Sequence, residues 1–307
     1  MPPVHIAGYQ GSASILTRSI QALVDRMTAL EPDWEVQAEY DVTLSGETSA
    51  SMYRSVDSGA RQVCYIASGY LSARVPDLAA LDLPFCVGDR GAALLALDGD
   101  AGRYLTFMLE QQTGYKVLGY WDNGFRHISN GVRPIMSAQD CKGLTIRTLD
   151  SAGYRDALAA MGFTPKTTDV KDLVRMVQSR EVDAQENPLT NFVNFGLWRH
   201  HPYVSMTGHI FGVLLLVCNK AWFAGLAPRQ QDALLDASRH STQLQREMAA
   251  HEDEVSMQHL VGQGVEVIER QNLDIRSMRQ ATRSIIECKR KLLPKQLVSS
   301  YLDQVAI

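Results

Sequence analysis

Three polar side chains sit where strands run out, and their types suit a small organic acid. Arg147 lies inside "LTIRTL" (144–149), flanked by Leu144, Ile146 and Leu149. A guanidinium there must reach water, pair with an acid such as Asp150, or meet an anionic guest, whose carboxylate its rigid fork matches bidentately. Asn187 ends the strand-like part of "REVDAQENPLTNF" (180–192), and Pro188 then fixes the exit of the chain. Its amide offers a donor and an acceptor, although an Asn opening a turn or a helix is as natural a reading. Arg126 follows "DNGF" and is either a second cation for an acidic ligand or a surface base beside His127. Tyr9 and Gln10 belong to "AGYQGSAS" (7–14), a Gly-containing loop before a helix, a place that attracts anions. That loop lacks the GxGxxG spacing and the Lys of a phosphate loop, so a nucleotide is not expected. Ser68, Gly69 and Tyr70 end another strand and are expected in the same cleft.

Other chemistry finds no support. The eight His show no metal spacing: His200 and His201 are adjacent, and His240, His251 and His259 are not paired at i, i+4. "HEDE" (251–254) is not HExxH, and there is no GxSxG. The five Cys are scattered without a CxxC, each among apolar neighbours, and are expected to be small buried hydrophobes. We therefore expect no metal, no cofactor and a binding protein rather than an enzyme. An enzyme or a ligand-responsive sensor on the same scaffold is the alternative. Thirty-four acids against 30 bases give a net charge of −4, with no dense basic run, so nucleic acid is not an expected partner. The longest apolar run, "IFGVLLLVC" (210–218), is strand length, so no membrane insertion is expected. No signal peptide is visible at "MPPVHIAGYQ".

These residues need elements to position them. "VHIAGY" (4–9) and "QVCYIAS" (62–68) read as buried strands, and "EVQAEYDV" (35–42) alternates as a half-exposed one. Ile15, Leu16, Ile20, Leu23, Val24, Met27 and Leu30 recur at helical spacing, with Ser12 or Ser14 as a cap. The β-α-β-α-β order implies a mostly parallel sheet. A second α/β unit follows: strands at 116–125 and 144–149, helices at 152–162 and 171–179, then the strand that delivers Asn187. Residues 203–223 are too long for one ordinary strand and would pass between units. From Pro228 to Val261 neither Gly nor internal Pro interrupts a helix of about 50 Å. A strand at 265–270 and a helix at 275–293 close the chain.

"LDLPF" (81–85), "GYWDNGFRHISN" (119–130), "RPI…DCKGLTIRT" (133–148), "VDAQENP" (182–188), "TGHIF" (207–211) and "LLLVCNKAWF" (214–223) occur in this order. In that set the chain resembles the extracytoplasmic solute-binding proteins of TRAP transporters, dicarboxylate-binding type. The resemblance implies a two-domain periplasmic-binding-protein-like α/β fold with crossing hinge strands and a long helix spanning both domains. One lobe would hold 1–122 plus 211–250, the other 123–210 plus 251–307, with the ligand cleft between them. It implies a periplasmic protein, its signal peptide removed, that captures a small organic acid and hands it to the membrane subunits of a TRAP transporter. Arg147 matches the Arg that grips the ligand carboxylate, Asn187 the Asn of "QENP", and Arg126 the Arg after "NGF". Glu47, in "LSGETSA", matches the Glu that touches the distal part of the ligand. His209 and Phe211 of "TGHIF" join Tyr9, Gln10, Ser68, Gly69 and Tyr70 in the expected pocket. Val170 and Val174 stand where family members often carry aromatics, which points from C4-dicarboxylates towards an aromatic, keto or hydroxy monocarboxylate.

Overall fold

The computed structural model describes residues 3–306. Its first lobe opens with β1 (Val4–Ala7), α1 (Ile15–Leu30), β2 (Val36–Glu39), α2 (Ser49–Asp57) and β3 (Val63–Ala67). β1 lies between β2 and β3, parallel to both, as the β-α-β-α-β order requires. Ser14 is the cap of α1: its side chain accepts from the Leu16 N–H. After α3 (Arg90–Asp98) and α4 (Asp100–Gln112), β4 runs unbroken from Tyr115 to Asn130. The second lobe adds β5 (Thr145–Thr148), α5 (Ala152–Met161), β6 (Thr164–Thr167), α6 (Val170–Gln178), β7 (Ala184–Asn187) and α7 (Leu189–Asn194). β8 (Tyr203–Asn219) returns, followed by α8 (Lys220–Gly225), α9 (Pro228–Gly262), β9 (Glu266–Ile268) and α10 (Ile275–Leu292).

The strands form one sheet in the order β2-β1-β3-β8-β4-β7-β5-β6, with β9 beside β8. β4 and β8, 16 and 17 residues long, pair antiparallel along their length and join the two lobes. Their register slips between Val117 and Gly119, Asp122 and Gly124, and Arg126 and Ile128. Such bulges add twist and let a strand bend, which is how one strand serves two differently oriented halves. The expected extended segment 203–223 is β8 plus α8, so its last residues are helical.

α9 spans both lobes. Its first half is fastened to β4: Gln245 exchanges hydrogen bonds with the Asp122 backbone N–H (2.8 Å) and C=O (2.6 Å), and Trp121 donates to Thr242 (3.0 Å). Its second half brings Leu260 and Met257 into the apolar cluster around α6 and α7. The chain end departs from the expected division. Leu297, Tyr301, Leu302 and Val305 pack into the first lobe's core, although residues 251–307 were expected in the second. The Cys expectation also needs correction: Cys64, Cys141 and Cys218 are buried, but Cys86 is half-buried and Cys288 exposed, and all five are free.

Candidate functional site

Arg147 is carried by β5, paired with Lys166 of β6 on one side and Gln185 of β7 on the other. Its side chain is 2% exposed. Nη2 donates to the Thr168 carbonyl (2.6 Å) and Nε to Thr168 Oγ1 (3.2 Å), which aims the fork. Among the described residues no carboxylate lies within ion-pair distance of it. Burial holds its pKa below the usual value, against the pull of Tyr70 and Glu186, and Arg126 adds repulsion. A buried cation with neutral partners alone is costly, and an incoming carboxylate relieves that cost.

Arg126 has the opposite circumstances. On the crossing strand β4, its Nε and Nη2 engage both carboxylate oxygens of Glu186, with Nη2 3.0 Å from Oε1. Nη2 also reaches the Glu186 carbonyl (2.9 Å) and Asn187 Oδ1 (3.2 Å). Both members of the pair are buried. Burial alone would raise the Glu186 carboxyl; Arg126 overrides it and holds the pKa at about 2. Thr148 Oγ1 donates to Glu186 at 2.7 Å, and the Arg126 guanidinium lies 5.3 Å from the Tyr154 ring centroid. The expected second cation is therefore already neutralised by a neighbour.

Asn187 is buried at the end of β7 as expected, but its amide is committed. Nδ2 donates to Gln185 Oε1 (2.6 Å), and Oδ1 accepts from Arg126. It caps no helix; α7 starts directly after Pro188, so the proline ends the strand and opens a helix. Glu47 sits at the outer edge of the first lobe with both oxygens on Arg61 Nη1 and Nη2, each at 2.8 Å. His209 is fully buried, its Nδ1 sharing a hydrogen bond with Thr207 Oγ1 (2.8 Å), while Nε2 lies 3.6 Å from Glu186. Phe211 packs on Phe125 with the rings tilted by 59° and centroids 5.1 Å apart. Tyr9 packs on Tyr65 at 4.8 Å.

The lobes touch across the cleft. Gln10 Nε2 donates to Asn191 Oδ1 of α7 (3.0 Å). Asp169 accepts from Ser49 Oγ (2.7 Å) and from the Ser49 and Ala50 N–H groups at the start of α2, while capping its own helix α6 at Lys171 N. Gly69 approaches Leu149 and Tyr154 so closely that a Cβ would lie 2.9 Å from Leu149 Cδ1. Ser68 Oγ donates to Asp82 (3.2 Å), whose other oxygen is buried with no partner among the described residues. Burial lifts that carboxyl to about 7. Tyr70 faces this region, its hydroxyl pKa raised by burial and drawn down by Arg147. Arg147, Asn187, Arg126, Gln10, Ser68, Gly69, Tyr70 and His209 thus gather at the junction, whereas Glu47 lies at the rim.

Sequence reasoning missed Glu186, Thr168, Asp169, Asp82 and Tyr154 as parts of this site. A signal existed for one of them. Glu186 in "AQENP" is an acid within a buried strand, which calls for a cation; Arg126, expected to serve a ligand or the surface, is that cation. Thr168 and Asp169 in "KTTDV" gave none, because their roles depend on which strand lies beside β5.

Residues 41–291 match the family described as bacterial extracellular solute-binding protein, family 7. A solute-binding protein of Verminephrobacter eiseniae is 30% identical over 241 residues, 78% of this chain and 70% of that protein. The 2,3-diketo-L-gulonate-binding periplasmic protein of Escherichia coli is 34% identical over 193 residues, 63% of this chain and 58% of that one. Among solved structures, a TRAP periplasmic solute-binding protein of Bordetella, with density assigned to pantoate, superposes with a TM-score of 0.92 at 24% identity over both full chains. The sugar-acid-binding protein of Advenella mimigardefordensis, in complex with galactonate, gives 0.92 at 22% identity, covering 98% and 97% of the two chains. Fold, crossing strands and matched residues agree: the chain belongs to family 7 of the bacterial extracellular solute-binding proteins, the solute receptors of TRAP transporters.

Proposed function

We propose that this protein captures a small organic monocarboxylate outside the cytoplasm and delivers it to the membrane subunits of a TRAP transporter, without transforming it. One observation carries the choice of ligand. Among the described residues, Arg147 is the buried guanidinium at the lobe junction that lacks an acid, whereas Arg126 is neutralised by Glu186, and Arg61, at the rim, by Glu47 and Glu39. One free cation anchors one carboxylate; a second carboxylate would be buried uncompensated. Tyr70 and the second amide N–H of Asn187 and of Gln10, whose first is spent inside the protein, supply polar groups for keto or hydroxyl oxygens, and Tyr9 supplies apolar wall. Relatives described with galactonate, pantoate and 2,3-diketo-L-gulonate favour the same class. Lobe closure over the guest would add the Asp169–Ser49 and Gln10–Asn191 contacts, which an open form lacks.

A thermal-shift screen of hydroxy- and keto-monocarboxylates against succinate and malate tests this. A monocarboxylate should raise the melting temperature most, because a tight binder stabilises by mass action. A larger rise with succinate would overturn the single-anchor reading.

A further inference from the structure

Behind the hinge lies a second cavity, on the face of β4 and β8 turned away from Arg147. Its volume is about 620 Å3. Successive residues of a strand point to opposite faces. Arg126 turns to Glu186 and Tyr154, while its neighbour His127 lines this cavity. The wall is mostly apolar, with Phe125, Leu189, Met206, Met257 and Ile275. On one side stand Arg270 and Arg279. Each spends an N–H on a backbone carbonyl, that of Thr207 and that of Phe85, and among the described residues neither has a carboxylate within ion-pair distance. They are close enough for Arg279 to add to the effect of burial in lowering the pKa of Arg270. Gly208, at φ +51°, leaves room for Arg270: a Cβ there would lie 3.0 Å from its Nη1. His127 accepts the Gly208 N–H on Nδ1 (3.1 Å), so its proton is on Nε2 and it adds a neutral donor. Asp253 of α9, which lines the cavity, is already paired with Arg90. Glu254 and Glu269 also line the cavity, and both are exposed, as is Arg270 itself.

From this arrangement we propose that the cavity is a second ligand site, for an amphipathic organic anion whose acid group meets Arg270 and Arg279 and whose apolar body fills the Phe125–Met206–Met257 wall. The volume is that of a small-molecule site. Two adjacent guanidiniums without an acid are the complement of one carboxylate. Because Leu189 and Ile275 of the second lobe, the crossing strands and Val87 all touch the occupant, its affinity depends on the angle between the lobes, and by reciprocity it shifts closure.

The test uses the full chain carrying Arg147→Met, which silences the front site, with the methionine methyl groups labelled with 13C. Octanoate is the probe and 1-octanol its uncharged control. The Met206 and Met257 resonances should shift saturably with octanoate, at a dissociation constant of about 1 mM or below. They should respond at least about tenfold more weakly to 1-octanol and in an added Arg279→Gln variant. Equal responses to octanoate and octanol, or no saturable shift at either methyl, would overturn the proposal. Both outcomes are independent of which acid the front site takes. Since the unaltered cavity is compared with two probes, the conclusion does not hang on the folding of the Arg279 variant.

Discussion

Two guanidiniums, Arg147 and Arg126, are buried at the same lobe junction, 2% and 3% exposed, and they serve different ends. Arg126 has Glu186 on two of its nitrogens and belongs to the permanent framework that ties β4 to β7. Among the described residues, Arg147 has only Thr168 as a hydrogen-bond partner. Burial depresses the pKa of Arg147, whereas for Arg126 the Glu186 carboxylate outweighs burial and raises it. On the proposed reading, being buried and basic does not suffice for a ligand anchor; the residue must also lack an acid. The first residue waits for a partner, and the second has one built in.

The comparison breaks most sharply on substitution. Arg147→Met should cost binding of the cognate acid about 3–5 kcal/mol, a loss of about a hundredfold to several thousandfold in calorimetry, because the guest carboxylate would then be buried unpaired. The same change should leave the denaturant midpoint unchanged or higher, since it removes a desolvated charge. Glu186→Gln should do the reverse to stability. It strands Arg126 in a dry site and should lower unfolding free energy by about 3 kcal/mol in urea titrations, a loss that the double change Arg126→Met with Glu186→Leu largely recovers. Were the two single variants to lose stability equally, the distinction between framework and anchor would fail.

Acidity sharpens the contrast with opposite signs at two carboxyls. The folded pKa of Glu186 is depressed from 4.5 to about 2, so its contribution is present above pH 4.5 and is lost as pH falls towards about 2. The folded pKa of Asp82 is raised from 3.8 to about 7. Its neutral form suits the fold, so that stability is present below pH 3.8 and is lost as pH rises through about 7. Asp82→Asn should therefore gain stability over the parent that grows from little at pH 4 to about 4 kcal/mol at pH 8, at about 1.4 kcal/mol per pKa unit. Equal gains at both ends would show that Asp82 does not titrate in the fold. The smallest effect is expected at the cleft mouth. Ser49→Ala removes one hydrogen bond to Asp169 that forms only when the lobes meet. Stopped-flow release of the bound acid should quicken about threefold, with association unchanged.

Most of the architecture was legible because it is written in local patterns. The helical spacing from Ile15 to Leu30, the interruption-free stretch after Pro228 and the apolar run at 62–68 each fix an element without reference to the rest. Arg147 was legible for the same reason, as a charge inside an apolar strand. What the sequence did not disclose were pairings across distance. Arg126 and Glu186 are 60 residues apart, and only the antiparallel register of β4 on β7 brings them together. Likewise Asp169 and Ser49 meet only when two lobes built from separate units close. The tail from Leu297 to Val305 was misplaced because its apolar residues suit either core, and chain order gives no hint that it crosses back.

The proposed mode of solute capture rests on Arg147 being the single charge anchor, and one titration tests that most directly. Wild type and Arg147→Met are titrated calorimetrically with the monocarboxylate that gives the largest thermal shift. Wild type should bind one equivalent and the variant show no heat above dilution, while unfolding as late as wild type or later. A variant that still binds within about threefold of wild type would contradict the anchor role, because the acid group would then be held elsewhere.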